Sequence, residues 1–535
     1  MTGLKLPGFF RKDIFLIFLL WLILTAINID KAFHIDDTFH LEAGQWLREN
    51  PLKPMSGLIN WADDPTPMYS HNQPVLFFYL VAFTSFLFGM GEIPLHLMES
   101  VFTFLVLYYF YKTAVFLRVG KPRILLIFLA FCPAFIINQN VMVDVPVLSL
   151  VLISAYYLLK SGKEQKLLYY CLSALCIGLG LLIKYSLLPL LVVILLVMLI
   201  RRDFKYLPVL LIPVFMLAGW SFWNVQEFGS VHIFNRPRNE FRPVRIIEFI
   251  ACVGAVSPLS ICLIPKGFSA LKWLSFCFFF AVISYGLFVW TGIIEIHIFG
   301  QLLNYVFISN GLLIAFALLF DAIKHGKLID LKNFISSDTF ILWLIIGALA
   351  SFMVLFAPFM ATRHILLIIP FLLLVSSPLM EQAGKFLVQT AVVLTVILGL
   401  ILGISDWKTA DYYREMVGVI EIPQNQTVWA AGHWGWQWYA RKNNMKIYGT
   451  QTSEVKEGDY LVYPRDIVRQ TINPALKLSL VDKKWKDASL LTFVSGSRLA
   501  SLYSSSIHNP VWRLSLSPVD TIYVFKVDRI ELSNP

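Results

Sequence analysis

Two adjacent aspartates, Asp36 and Asp37, stand in the stretch AFHIDDTFHLEAGQWL, directly after a long apolar run, with His34 and His40 on either side. Paired carboxylates can hold a divalent cation or leave one partner as a general base. The pair equally suits capping a helix that begins near Thr38, because an Asp before a helix satisfies its first free N–H groups. The histidine spacing matches no standard zinc motif. A second pair, Asp63 and Asp64 in WADDPTPMYSHNQP, lies in a Pro-rich loop and reads as turn residues. Asp144, in INQNVMVDVPVLSLVL, is a single carboxylate between two apolar runs, two residues ahead of Pro146. It suits a helix start or a site.

Cationic residues stand at comparable places. Lys184 interrupts CIGLGLLIKYSLLPLLVVILL, and an ionisable residue in an apolar stretch points to function or to snorkelling. Arg363 and His364 follow FAPFMAT. The loop HIFNRPRNEFRPVRII carries Arg236, Arg238, Arg242 and Arg245. Guanidinium groups fit phosphate bidentately, and they also attract anionic lipid headgroups.

The elements that hold these residues follow from composition. The chain has 535 residues, 57% hydrophobic and 15% charged. Soluble domains carry about 25% charged residues, so this chain reads as a polytopic membrane protein. Its net charge of +10 is that of lysines and arginines in cytoplasmic loops rather than of a nucleic-acid binder. The six cysteines lie in or beside apolar runs, with no CxxC spacing, so neither a disulfide framework nor a zinc site is expected. The basic N-terminus and the apolar run after it read as an uncleaved first span.

A span needs roughly 20 apolar residues. Expected spans are 13–29, 94–116, 123–139, 145–159, 167–183, 186–200, 206–223, 246–265, 271–291, 299–320, 338–357, 364–380 and 387–405. The apolar run 74–90 is settled by charge. If it crossed, the basic loops YKTAVFLRVGKPR and KSGKEQK would lie outside; if it lies along the outer interface, both fall inside. About thirteen spans result, in a mostly α transmembrane bundle over 1–405, with an external first loop at 30–93. Asp36, Asp144, Lys184, the arginine loop and Arg363 then share the external face. The more polar tail, 406–535, has strand-like pieces such as QTVWAAG, DYLVYP and TIYVFKV, and reads as a small external α/β domain. The aromatic run His433 to Tyr439 suits either sugar stacking or the core of that domain.

The ordered motifs DD, HNQPVLFFYL, VMVDVPVLSL, GLGLLIKYSLLPL and TRHILLIIPFLLL, over roughly residues 10–380, resemble the GT-C membrane glycosyltransferases. The nearest resemblance is to the protein O-mannosyltransferase group and the lipid A aminoarabinose transferases. It implies an inverting transferase that uses a polyprenyl-phosphate-linked sugar and a glycan, lipid or protein acceptor, outside a bacterial inner membrane with a cytoplasmic N-terminus. Asp36, Asp37 and Asp144 match the family's acidic positions. Lys184 and Arg363, with Arg236, Arg238 or Arg242, would hold the donor phosphate. His71, in HNQP where the family has an HPP-like entry, together with Tyr185 and His364, would line the substrate site. A divalent cation (Mg, Mn or Zn) on Asp36 and Asp144 would serve the same charge as the basic residues. A transporter or lipid-linked sugar flippase is the rival reading; it predicts inverted repeats, and none is visible.

Overall fold

The computed structural model describes residues 8–71, 73–164, 166–235, 240–264, 270–290, 298–328, 331–421, 426–467, 470–487, 502–503, 509–513 and 518–531. The chain is mostly helical. Helix α1 (Gly8–Asn28) leads into the first loop, which holds α2 (Asp37–Glu49), a two-stranded pair β1 (Leu58–Ile59) and β2 (Thr66–Pro67), and α3 (Leu76–Phe88). Phe39, Ala43 and Leu47 recur every fourth residue on α2 and pack against Val75, Phe78 and Ala82 on and beside α3. At 13 residues, α3 is about 20 Å long, against a bilayer core of about 30 Å.

The bundle continues through α4 (Glu92–Phe116), α5 (Pro122–Ala130), α6 (Pro133–Ile136), α7 (Asp144–Lys160), α8 (Lys166–Leu181), α9 (Leu188–Ile200), α10 (Leu211–Phe228) and α11 (Val244–Ala255). It closes with α12 (Ala270–Trp290), α13 (Ile298–Leu328), α14 (Leu331–Ile335), α15 (Asp338–Phe356), α16 (Thr362–Ile365), α17 (Ile369–Gln382) and α18 (Lys385–Gly418). Among the described residues, five helices are long and apolar enough to cross a membrane: Glu92–Phe116, Phe204–Phe228, Leu302–Lys324, Asp338–Phe356 and Lys385–Gly418. The protein is an integral membrane protein.

Three expected spans are not single helices. The run 123–139 breaks at Cys132, before Pro133; 246–265 gives the 12-residue α11 and then a 3-10 turn, Pro258–Cys262; and 364–380 breaks at Leu366, before Pro370. Proline lacks the N–H and crowds the preceding turn, so hydrophobic length alone overstates the continuous helix. The last expected span, 387–405, is part of a longer helix. Helix α18 has 34 residues and runs on to Gly418, because Ser405, Asp406, Thr409 and Ala410 are buried rather than opened to water.

After α18 comes a five-stranded mixed sheet in the order β4-β3-β5-β7-β6, with β3 (Val428–Ala430), β4 (Lys446–Ile447), β5 (Tyr460–Pro464), β6 (Leu476–Trp485) and β7 (Thr521–Ile530). Helix α19 (Trp434–Lys442) crosses between the parallel strands β3 and β4. Asp520, just before β7, joins this sheet to α18. Its carboxylate accepts from Tyr413 Oη at 3.0 Å and from the Asp466 N–H at 2.9 Å, and its carbonyl accepts from Tyr412 Oη at 2.6 Å.

Burial, reinforced by the nearby Asp466, raises the Asp520 carboxyl to about 6. An unfolded chain ionises this group near about 4, so folding loses stability as pH rises from about 4 to about 6, by roughly 3 kcal/mol at most. The melting midpoint of the wild type relative to Asp520→Asn is expected to fall across that window and stay level above it. A difference independent of pH contradicts this.

Candidate active site

The four residues singled out on one face come together as two ion pairs. Arg363 Nη1 donates to Asp36 Oδ2 at 2.5 Å, and Lys184 Nζ donates to Asp144 Oδ1 at 2.7 Å. Side-chain exposure is 20% for Asp36, 22% for Lys184, 9% for Arg363 and 3% for Asp144, so each pair has one half at the surface and one sunk below it. Arg363 feels the charge of both Asp36 and Asp144, which makes the two pairs one electrostatic unit. Among the described residues the Nε of Arg363 has no hydrogen-bond partner, and His364 lies beside the same charges with its ring 5.2 Å from Phe359.

Local backbone sets each group. Ile35, just before Asp36, has φ +50°, which a β-branched residue rarely adopts and which the surrounding structure must hold. The turn is closed by the Asp37 N–H donating to His34 O at 3.1 Å and by Asp37 Oδ2 accepting from the His34 N–H at 2.9 Å. Asp144 is the first residue of α7, with Pro146 in its first turn. Lys184 is extended (φ −154°, ψ 128°) in the break between α8 and α9. Arg363 sits on the four-residue α16, ahead of the Pro370 break.

The adjacent aspartates separate. Asp36 precedes α2 but makes no side-chain cap bond, which corrects the capping expectation; its carboxylate is taken by Arg363 instead. Asp37 is fully buried and faces His34, 3.7 Å away. His71 and Tyr185 are joined through His232 rather than to the ion pairs. Tyr185 Oη accepts from Trp220 Nε1 at 2.9 Å and bonds His232 Nδ1 at 2.9 Å, while His232 Nε2 donates to His71 O at 2.7 Å. The His71 ring bonds Thr66 Oγ1 at 2.9 Å, and burial lowers it to about 4, so it is neutral near pH 7. Arg242 is exposed, and Arg236 and Arg238 lie outside the described residues.

A metal fits this donor set poorly. Among the described residues no group of three or more His, Cys, Asp or Glu side chains could hold one, and Asp36 and Asp144 already carry cationic partners.

Sequence reasoning missed how the first loop is fixed. Asp63 and Asp64 are not turn residues alone. Asp63 accepts from the Thr471 N–H at 2.6 Å, and Asp64 from the N–H groups of Gln451 and Thr452 at 3.0 Å each. Glu42 of α2 accepts from Arg441 at 2.8 Å and Gln437 at 3.0 Å on α19. Gly435 lets α19 approach closely, since a Cβ there would stand 2.2 Å from Phe33 O. The aromatic run of α19 is buried, and Trp438 meets Phe33 of the first loop edge to face. Lys31 and Asp406, fully buried together, were also unseen. Their one signal is a charge at the end of each of two apolar runs.

Residues 72–223 match the sequence family described as Dolichyl-phosphate-mannose-protein mannosyltransferase. That stretch carries Asp144 and Lys184, and over it the resemblance to the protein O-mannosyltransferase group is borne out. No curated protein sequence matches the chain. Among solved structures, the chain is similar to ArnT from Cupriavidus metallidurans bound to undecaprenyl phosphate, at 12% identity and TM-score 0.40, covering 86% of this chain and 93% of that one. It is also similar to the oligosaccharyltransferase AglB from Archaeoglobus fulgidus in complex with an inhibitory peptide and a dolichol-phosphate, at 11% identity and TM-score 0.48, covering 85% and 70%. At these scores the likenesses are loose and fix neither substrate nor chemistry.

The buried pair gives a direct check. Lys184→Met alone leaves Asp144 sunk and unpaired, which costs roughly 3–5 kcal/mol, whereas removing both charges costs far less. The double variant Lys184→Met/Asp144→Leu is expected to melt above Lys184→Met. A double variant that melts lower contradicts the pairing.

Proposed function

We propose that this chain is an integral membrane glycosyltransferase that moves a sugar from a polyprenyl-phosphate-linked donor to an acceptor hydroxyl, with inversion. The observation that carries the reading is the paired arrangement of Asp36–Arg363 and Asp144–Lys184, two carboxylates and two cations in one electrostatic unit, partly open at a membrane protein's surface. The family match over 72–223 supports it, because that family's description names a lipid-phosphate mannose donor.

The chemistry follows from the charges. A donor phosphate competes with Asp36 for Arg363, since guanidinium binds phosphate bidentately. Once Arg363 turns to the phosphate, Asp36 has a free carboxylate. It takes the proton of the acceptor hydroxyl as the oxygen attacks the anomeric carbon. The bond from that carbon to the phosphate oxygen breaks, and its electron pair stays on the phosphate, held by Arg363 and Lys184. One displacement with no covalent intermediate inverts the centre. Asp144 keeps Lys184 in place, and Asp37 holds the turn that carries Asp36. His364 borders this site, and the exposed Arg242 would meet the lipid headgroup.

The same reading puts the site on the external face of a bacterial inner membrane, with about thirteen spans, a cytoplasmic N-terminus, α3 along the outer interface and an external tail domain. The short length of α3 supports its interfacial placement.

The test is envelope glycan and lipid mass spectrometry in a strain that lacks the chain. A modification should vanish while a polyprenyl-phosphate sugar accumulates. Wild type should restore it, and Asp36→Asn should restore activity at least ~100-fold less well at equal membrane abundance, given the usual worth of a general base. Unchanged glycans with a sugar lipid stranded on one leaflet would instead make it a transporter.

A further inference from the structure

A second charged network lies under the first pair. Lys31 Nζ pairs with Asp406 and donates to Asn140 Oδ1 at 2.6 Å and Ile137 O at 3.1 Å, with both charges fully buried. His34 lies between two carboxylates, its Nε2 3.5 Å from Asp406 and its Nδ1 3.7 Å from Asp37. Into this network reaches one side chain from the connection between β6 and β7. Tyr503 Oη donates to Asp406 Oδ2 at 2.9 Å and accepts from Asn140 Nδ2 at 3.2 Å. Its ring stands edge-on to His34, with centroids 5.4 Å apart. One residue earlier, Leu502 O accepts from Thr362 Oγ1 at 2.9 Å.

Thr362 is the residue before Arg363, and His34 is two residues before Asp36. The dipeptide Leu502–Tyr503 therefore touches the chain neighbours of both partners in the Asp36–Arg363 pair. The strained Ile35 lies between His34 and Asp36, so a shift of His34 passes directly to the carboxylate. Phe would fill the same apolar volume as Tyr503; what the hydroxyl adds is its bonds to Asp406 and Asn140. An unpaired hydroxyl in this position would be costly, and here it is satisfied by a charge.

We infer that Leu502–Tyr503 is a clip from the C-terminal region that sets the distance between Asp36 and Arg363, with Tyr503 as a positioning residue. The sheet region thereby takes part in the site without touching substrate. The rate consequence rests on the glycosyltransferase reading; the geometric consequence does not.

The experiment uses the full-length chain in lipid nanodiscs, with polyprenyl-phosphate mannose as the donor probe and membrane extract as the acceptor source. Two variants loosen opposite arms of the clip, Tyr503→Phe and Thr362→Val. Each is expected to lower kcat per folded molecule about tenfold, with the donor KM unchanged, because a displacement near 1 Å can cost up to about 100-fold. In parallel, carboxylates are labelled with a water-soluble carbodiimide and an amine and mapped by mass spectrometry. Asp36 should label several-fold faster in both variants than in wild type. A role in folding alone would lower the yield of folded protein and leave kcat and Asp36 labelling unchanged, which overturns the inference. If Tyr503→Phe fails to fold, Thr362→Val decides. A wild type that moves no mannose refutes transfer from this donor and leaves the labelling to decide the clip.

Discussion

The structure depends on one constraint: a charge taken out of water must find its opposite. Asp36 with Arg363, Asp144 with Lys184, and Lys31 with Asp406 each satisfy it across long stretches of sequence. Burying either partner alone would cost several kcal/mol, so each pair fixes where its two chain segments must meet. Together the three pairs bring α1, the first loop, α7, the α8–α9 break, α16 and α18 to one place. Hydrophobic packing builds the bundle, but it is indifferent to register along a bilayer, where lipid tails are as apolar as leucine. The ion pairs supply that register.

The same constraint makes the site responsive. On the proposed reading, Asp36 and Arg363 are matched to each other only until the donor phosphate arrives; two phosphate oxygens then take the guanidinium N–H groups bidentately and the Asp36 carboxylate is freed. Asp144 and Lys184 differ, because Asp144 is deeply buried and has less to gain from release. In that proposal one pair exchanges and the other stays, and the strained Ile35 with the buried network beside it keeps the exchanging pair aligned.

Much of this was legible in the sequence. A lone charge inside or beside an apolar run is conspicuous, and the distribution of basic loops was enough to bring Asp36, Asp144, Lys184 and Arg363 to one face. Partner choice was not legible, because it depends on contacts hundreds of residues apart, as between Asp36 and Arg363. Adjacency misled for Asp36 and Asp37, which face different networks. His232, which links His71 to Tyr185, was not singled out at all. Apolar length hid the breaks at Pro133, Pro258 and Pro370, although the prolines themselves were in view. The end of α18 was misjudged because Asp406 looked like a solvent signal and is a buried ion. The dependence of the first loop on the sheet region, through Glu42, Asp63, Asp64 and Tyr503, has no local signature at all.

The central claim is that Arg363 changes partners. The most direct measurement is an experimental structure of the full-length protein in lipid with a polyprenyl phosphate bound. The account predicts the phosphate between Arg363 and Lys184, the guanidinium turned away from Asp36, and the Asp36 carboxylate open to the acceptor side. A phosphate bound elsewhere, with the Asp36–Arg363 pair intact, would contradict it.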